Sequence, residues 1–74
     1  MNIILFGRLT DLAADSIVLE EVADTDSLVK VLHKNYPALA GTKYAIAVDG
    51  QLINENTILT KNNVIALLPP FSGG

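Results

Sequence analysis

The residues with the clearest chemical potential come last, where Pro69-Pro70-Phe71-Ser72 lead into Gly73-Gly74. Two glycines carry no side-chain chemistry. They make a thin backbone with many accessible φ/ψ values, suited to a narrow slot in another protein. The reactive group left at the tip is the carboxylate of Gly74, expected to be the working group. Pro69 and Pro70 fix φ and stiffen the base of this segment. Phe71 is placed to anchor it, and Gly73 keeps it free of any Cβ. Extended at ~3.3 Å per residue, residues 69–74 reach ~20 Å, enough to bridge from one protein's surface into another's pocket.

The rest of the chain offers little competing chemistry. There is no cysteine, which excludes disulfides, thiolate nucleophiles and cysteine-based metal sites. No Gly-rich phosphate loop, Ser/His/Asp set or metal-ligand spacing occurs, so no active site complete within this chain and no bound cofactor or metal is expected. His33 reads as a solvated residue on the polar flank of a helix. Asp15, Asp24 and Asp26 read as capping or solvated carboxylates, and Lys43 and Lys61 as surface charges.

Composition narrows the class further. The 74 residues are half hydrophobic and 18% charged, too apolar for disorder and right for one small domain. That apolar content also points to surface covered by a partner. Arg8, Lys30, Lys34, Lys43 and Lys61 are scattered and the net charge is −3, so no nucleic-acid footprint is present. No apolar run approaches the ~20 residues that span a bilayer. Residues 1–6 lack a basic n-region and a cleavage site, so a cytoplasmic protein without membrane association is expected.

The elements that must position the tail follow from periodicity. Asn2–Phe6 is an apolar run of strand type, broken by Gly7. Residues 10–15 form a helical turn or loop, and Ser16–Val22 a second strand, near enough to pair with the first as a hairpin. Asp24-Thr25-Asp26-Ser27 is a cluster of N-cap residues ahead of Leu28, Val31 and Leu32 at helical spacing. Pro37 ends that helix near Asn35, and 38–43 reads as a connecting loop. Tyr44–Val48 and Gln51–Ile53 are strands joined by Asp49-Gly50, a type I′ hairpin signal. A polar, turn-rich stretch over 54–63 precedes the last strand, Val64–Leu68.

The order β-β-α-β-β-β predicts an α+β, β-grasp arrangement: a mixed sheet of about five strands with one main helix on one face. The domain is expected over 1–68, with 69–74 as an extended C-terminal tail. Strands 1 and 5 are apolar at nearly every position, as central strands are. One helix covers one face only. Alternate residues of strands 1 and 5 would then form an apolar face open to a partner, and the pattern leaves open which parity that is.

This order and the ending Leu67-Leu68-Pro69-Pro70-Phe71-Ser72-Gly73-Gly74 resemble the ubiquitin-like sulfur carriers. Among them they are most similar to the small subunit of molybdopterin synthase (MoaD). Further matches are Ile4-Leu5-Phe6, Leu9, Asp11-Leu12, Ala47-Val48-Asp49-Gly50 and Thr60-Lys61-Asn62-Asn63. The likeness spans the chain, and its C-terminal motif is the specific part. Departures are a slightly shorter chain, Asn62-Asn63 in the turn, and Leu67-Leu68 where an aromatic pair is common.

The resemblance implies a mechanism. A ubiquitin-activating-like enzyme would consume ATP to adenylate Gly74, and a sulfur donor system would convert the adenylate to a thiocarboxylate. Pro69, Pro70, Phe71, Ser72 and Gly73 would insert into the large subunit of molybdopterin synthase. Sulfur would pass there to cyclic pyranopterin monophosphate, two donations building the molybdopterin dithiolene. By position, Phe6, Leu52 and Leu68 match large-subunit contacts, with ordinary core packing as the alternative. The implied assembly is a heterotetramer. Carriers for thiamine-thiazole synthesis or tRNA thiolation, and a ubiquitin-like interaction module without terminal chemistry, are the competing readings.

Overall fold

Which parity of each apolar strand turns inward decides the two faces of the sheet. The computed structural model, which describes residues 1–69, settles it. In β1 (Asn2–Leu5), Ile3 and Leu5 point into the core, while Ile4 points out. The chain then forms α1 (Leu9–Leu12), β2 (Ser16–Val18), α2 (Thr25–Asn35), α3 (Pro37–Ala40), β3 (Ala45–Val48), β4 (Gln51–Ile53) and β5 (Ile65–Leu68). The five strands lie in the order β2-β1-β5-β3-β4. β1 and β5 run parallel at the centre, and the other neighbours are antiparallel. This is the expected β-grasp sheet, with the last strand beside the first.

The helical face holds the core. Leu28 and Leu32 of α2, Leu39 of α3 and Leu9 of α1 meet Ile3, Leu5, Ile17, Ile65 and Leu67 from the sheet. Each such side chain, taken fully out of water, contributes about 1.5–3 kcal/mol before entropy is counted.

Local chemistry sets the helix boundaries. Asp24 is the N-cap of α2, its carboxylate accepting the Ser27 backbone N–H at 2.9 Å. Asn56 completes the cap from another part of the chain. Its Oδ1 accepts the Asp26 N–H at 2.9 Å, and its amide donates to Asp24 at 3.1 Å. Buried Thr25 is satisfied there too, accepting the Thr57 N–H at 2.9 Å and donating to Asn56 at 3.2 Å. Tyr36, ahead of Pro37, closes the other end of α2 as the proline predicts.

The Asp49-Gly50 turn takes positive φ at both residues, +51° and +83°, as a type I′ hairpin requires. Asp49 also accepts the Val64 N–H at 2.8 Å and the Asn63 side-chain amide at 2.6 Å. The polar 54–63 stretch is therefore a strap. Its first half caps α2, and its second half holds the hairpin turn against the start of β5.

Three expectations need correction. β2 ends at Val18 rather than Val22, because its partner β1 runs out; Leu19 and Met1 exchange the last hydrogen bonds, both at 2.9 Å. Residues 38–43 are not all loop: Pro37 opens the one-turn helix α3, whose Leu39 is fully buried. His33 is not simply solvated, since its Nε2 lies 2.8 Å from the Tyr44 hydroxyl and the rings meet edge to face. No helix among the described residues is long and apolar enough to cross a membrane.

Candidate functional site

The sheet face without a helix is the candidate site. Residues paired across strands share a face, so the register can be read directly. One row crosses all five strands: Ser16, Ile4, Ala66, Ala47 and Leu52. Beside it Leu68 pairs with Ala45, and Phe6 continues β1, donating its N–H to the Leu67 carbonyl at 3.0 Å. Ile4, Phe6 and Leu52 are 39%, 46% and 56% exposed. Small alanines occupy the centre of the row and larger side chains flank it, so the face is a shallow apolar trough.

Phe6, Leu52 and Leu68 thus all lie on this one open face. None belongs to the core cluster. Phe6 and Leu52 are exposed and Leu68 is partly buried. Leu5 and Leu67 turn inward, which turns Phe6 and Leu68 outward.

β5 leads from this face to Pro69. Pro69 is half-buried, and its ring lies against Gly7, at the turn that follows β1. Gly7 has φ +59°, and its carbonyl accepts both the N–H and the hydroxyl of Thr10, at 3.2 and 2.9 Å. Sequence reasoning took Gly7 only as the end of a strand. A glycine directly after an apolar run was the available signal for a special backbone position. Pro70, Phe71, Ser72, Gly73 and Gly74 lie outside the described residues.

Other polar groups sit apart from this face. A cleft of about 240 Å³ is lined by Thr25, Asp26, Val29, Tyr44, Ile53 and Glu55, among others. Burial raises the Tyr44 phenol above its ordinary value, so it stays protonated at neutral pH. The Asp24 carboxyl lies below its ordinary value, through hydrogen bonding by Ser27 first and by Asn56 next. Among the described residues no group of three His, Asp or Glu side chains is placed to hold a metal ion.

The family model described as ThiS family matches residues 3–74. The chain belongs to the ThiS family. Solved structures similar to this ThiS-family chain extend the comparison. A complex of subunits 1 and 2 of molybdopterin-converting factor from Helicobacter pylori matches at 30% identity and TM-score 0.72, over 99% of this chain and 96% of that one. A putative molybdopterin converting factor subunit 1 from Pyrococcus furiosus matches at 23% identity and TM-score 0.80, over 93% and 94%. The small archaeal modifier protein SAMP1 from Haloferax volcanii matches at 20% identity and TM-score 0.79, over 99% and 97%. The last two establish the fold.

Proposed function

We propose that this ThiS-family chain is the sulfur-carrying small subunit of a molybdopterin synthase. The observation that carries the reading is continuity: the open apolar face with Phe6, Leu52 and Leu68 runs along β5 to Pro69, where the tail begins. Docking through that face would place the tail at the partner's pocket in the same event. The likeness to a Helicobacter pylori subunit seen in complex with its second subunit supports a large-subunit partner.

The chemistry uses the Gly74 carboxylate. A carboxylate resists nucleophilic attack because of its charge. In an activating enzyme, one of its oxygens would attack the α-phosphorus of ATP, releasing pyrophosphate and leaving an acyl adenylate. A sulfide-level nucleophile would then add to the acyl carbon and expel AMP, giving a thiocarboxylate. Once the subunits dock, this soft nucleophile is delivered as if within one molecule. Its sulfur would bond to a carbon of cyclic pyranopterin monophosphate as that carbon's bond to an oxygen substituent breaks and the oxygen leaves with the electron pair. Water would then cleave the acyl–sulfur bond and return the carboxylate. The expected assembly is two such chains at opposite ends of a large-subunit dimer.

Incubation with an activating enzyme, ATP and sulfide tests this. The C-terminal peptide is expected to gain the mass difference between sulfur and oxygen. Removing Gly74 is expected to abolish that gain and leave the circular dichroism spectrum unchanged. A chain that never forms an adenylate would sink the proposal.

A second reading has its own support. The fold-level likeness to SAMP1 of Haloferax volcanii leaves room for another carrier that uses the same terminal carboxylate. Carriers for thiamine or tRNA thiolation share that terminal chemistry. Co-purification with a thiazole synthase or a tRNA-thiolating enzyme, in place of a molybdopterin synthase large subunit, would decide for those branches.

A further inference from the structure

Gly7 meets two requirements at once. Its φ of +59° is one that L side chains rarely adopt. A Cβ placed on it would lie 2.7 Å from Cγ of Pro69, closer than such atoms approach. Gly50 shares the positive φ but would project a Cβ into open space, so its glycine serves the turn alone.

The surface that Pro69 rests on is held from both sides. Phe6, just before Gly7, donates to Leu67 on β5 at 3.0 Å and accepts from Leu9 at 3.2 Å. Thr10 holds the Gly7 carbonyl with two hydrogen bonds. The β1–α1 turn is thereby tied to β5 and to the first turn of α1. Pro69, with φ fixed by its ring, packs onto that turn immediately after the sheet ends.

We propose that Gly7 is a positioning residue for sulfur delivery, acting through Pro69 to set the direction in which the chain leaves β5. The proposal rests on the reading of Gly74 as the sulfur-bearing group. A side chain at position 7 would push the proline ring aside and redirect everything beyond it, while the core stays intact.

A double-mutant design isolates the contact. Gly7→Asn keeps a residue that tolerates the left-handed region, so it tests the Cβ rather than the φ. It is made with native Pro69 and with Pro69→Ala, which removes Cγ and leaves the nearest proline-derived atom, Cβ, at 4.0 Å. A nitroxide on Ser72→Cys, unique in a chain without cysteine, reports tail direction through broadening of amides in the body.

With native Pro69, Gly7→Asn is expected to shift the broadening to different amides. It should also slow sulfur transfer by about tenfold or more, as misplacement of a reacting group does. In the Pro69→Ala background the same substitution is expected to change neither. A variant that unfolds with Pro69 but folds with Pro69→Ala also supports the contact. Equal effects in both backgrounds, unfolding in both, or no effect in either would overturn it. The label arm needs no sulfur chemistry. A native chain that never accepts sulfur would therefore count against the function while the broadening still decides the role of Gly7.

Discussion

Ala47 and Ala66 are directly paired across β3 and β5, at the centre of the face that carries no helix. Their small side chains lower the middle of the sheet between Ile4 and Leu52. Ala47 is almost fully buried and Ala66 partly so, and the larger apolar residues on either side supply the exposed contact area.

That geometry predicts the effect of a central charge. Ala66→Glu is expected to weaken large-subunit binding by roughly 100-fold, about 3 kcal/mol, because the carboxylate is desolvated without a partner. In the free chain Ala66 is only partly buried and the longer side chain can reach water, so stability should change by about 1 kcal/mol or less. Isothermal titration calorimetry and thermal denaturation measure the two effects. An unchanged affinity would remove this face from the interface.

Adjacent leucines give a sharper contrast. Leu67 is fully buried, while Leu68 lies on the open face and is only partly buried. Leu67→Ala is expected to cost about 2–5 kcal/mol, a large part of a small domain's stability. Leu68→Ala should cost about 1 kcal/mol in stability and act mainly on partner affinity. Urea denaturation of the two variants separates core from surface. Equal losses would contradict the parity of β5.

The cap of α2 predicts an acid limb. Ser27 and Asn56 lower the Asp24 carboxyl below its ordinary value of 3.8. A carboxyl whose folded pKa is depressed contributes stability above its unfolded pKa. That contribution is lost as pH falls through the lowered folded pKa. Asp24→Asn, still a good N-cap, should change stability little at neutral pH and flatten the decline below pH 3.8. Thermal melts across that range test the slope, and identical slopes would rule Asp24 out as its source.

Asp49 combines a backbone and a side-chain role. It holds φ +51° and accepts hydrogen bonds from Val64 and Asn63. Asp49→Ala should lose about 2 kcal/mol, from left-handed strain and the lost acceptor. Asp49→Asn, which tolerates that φ and keeps one acceptor, should lose less than about 1 kcal/mol. Chemical denaturation that ranks the two variants in the opposite order would refute the assignment.

Much of this architecture is legible where one local rule dominates. The Asp24 cap, the stop at Pro37 and the Asp49-Gly50 turn each rest on neighbouring residues, and each appears where local chemistry places it. Parity in β1 and β5 is not legible, because residues 3–6 and 64–68 are apolar in both phases. Only packing against Leu28 and Leu32 selects Ile3 and Ile65 for the core. The second role of Gly7 is hidden for a similar reason, since the atom that needs its missing Cβ belongs to Pro69 at the far end of the chain. Asn56 is equally silent, being read as loop until it is seen beneath the start of α2. His33 gains its partner from Tyr44, just ahead of β3, which helical spacing cannot report.

The placement of β5 between β1 and β3 has a consequence for biosynthesis. Among the five described strands β1 is made first, yet its parallel neighbour β5 is made last. A nascent or prematurely terminated chain lacks the middle of the sheet rather than an edge, and so cannot hold its leucine core together. Native structure thus waits until residues 65–68 exist. Incomplete chains without β5 would remain open to proteolysis.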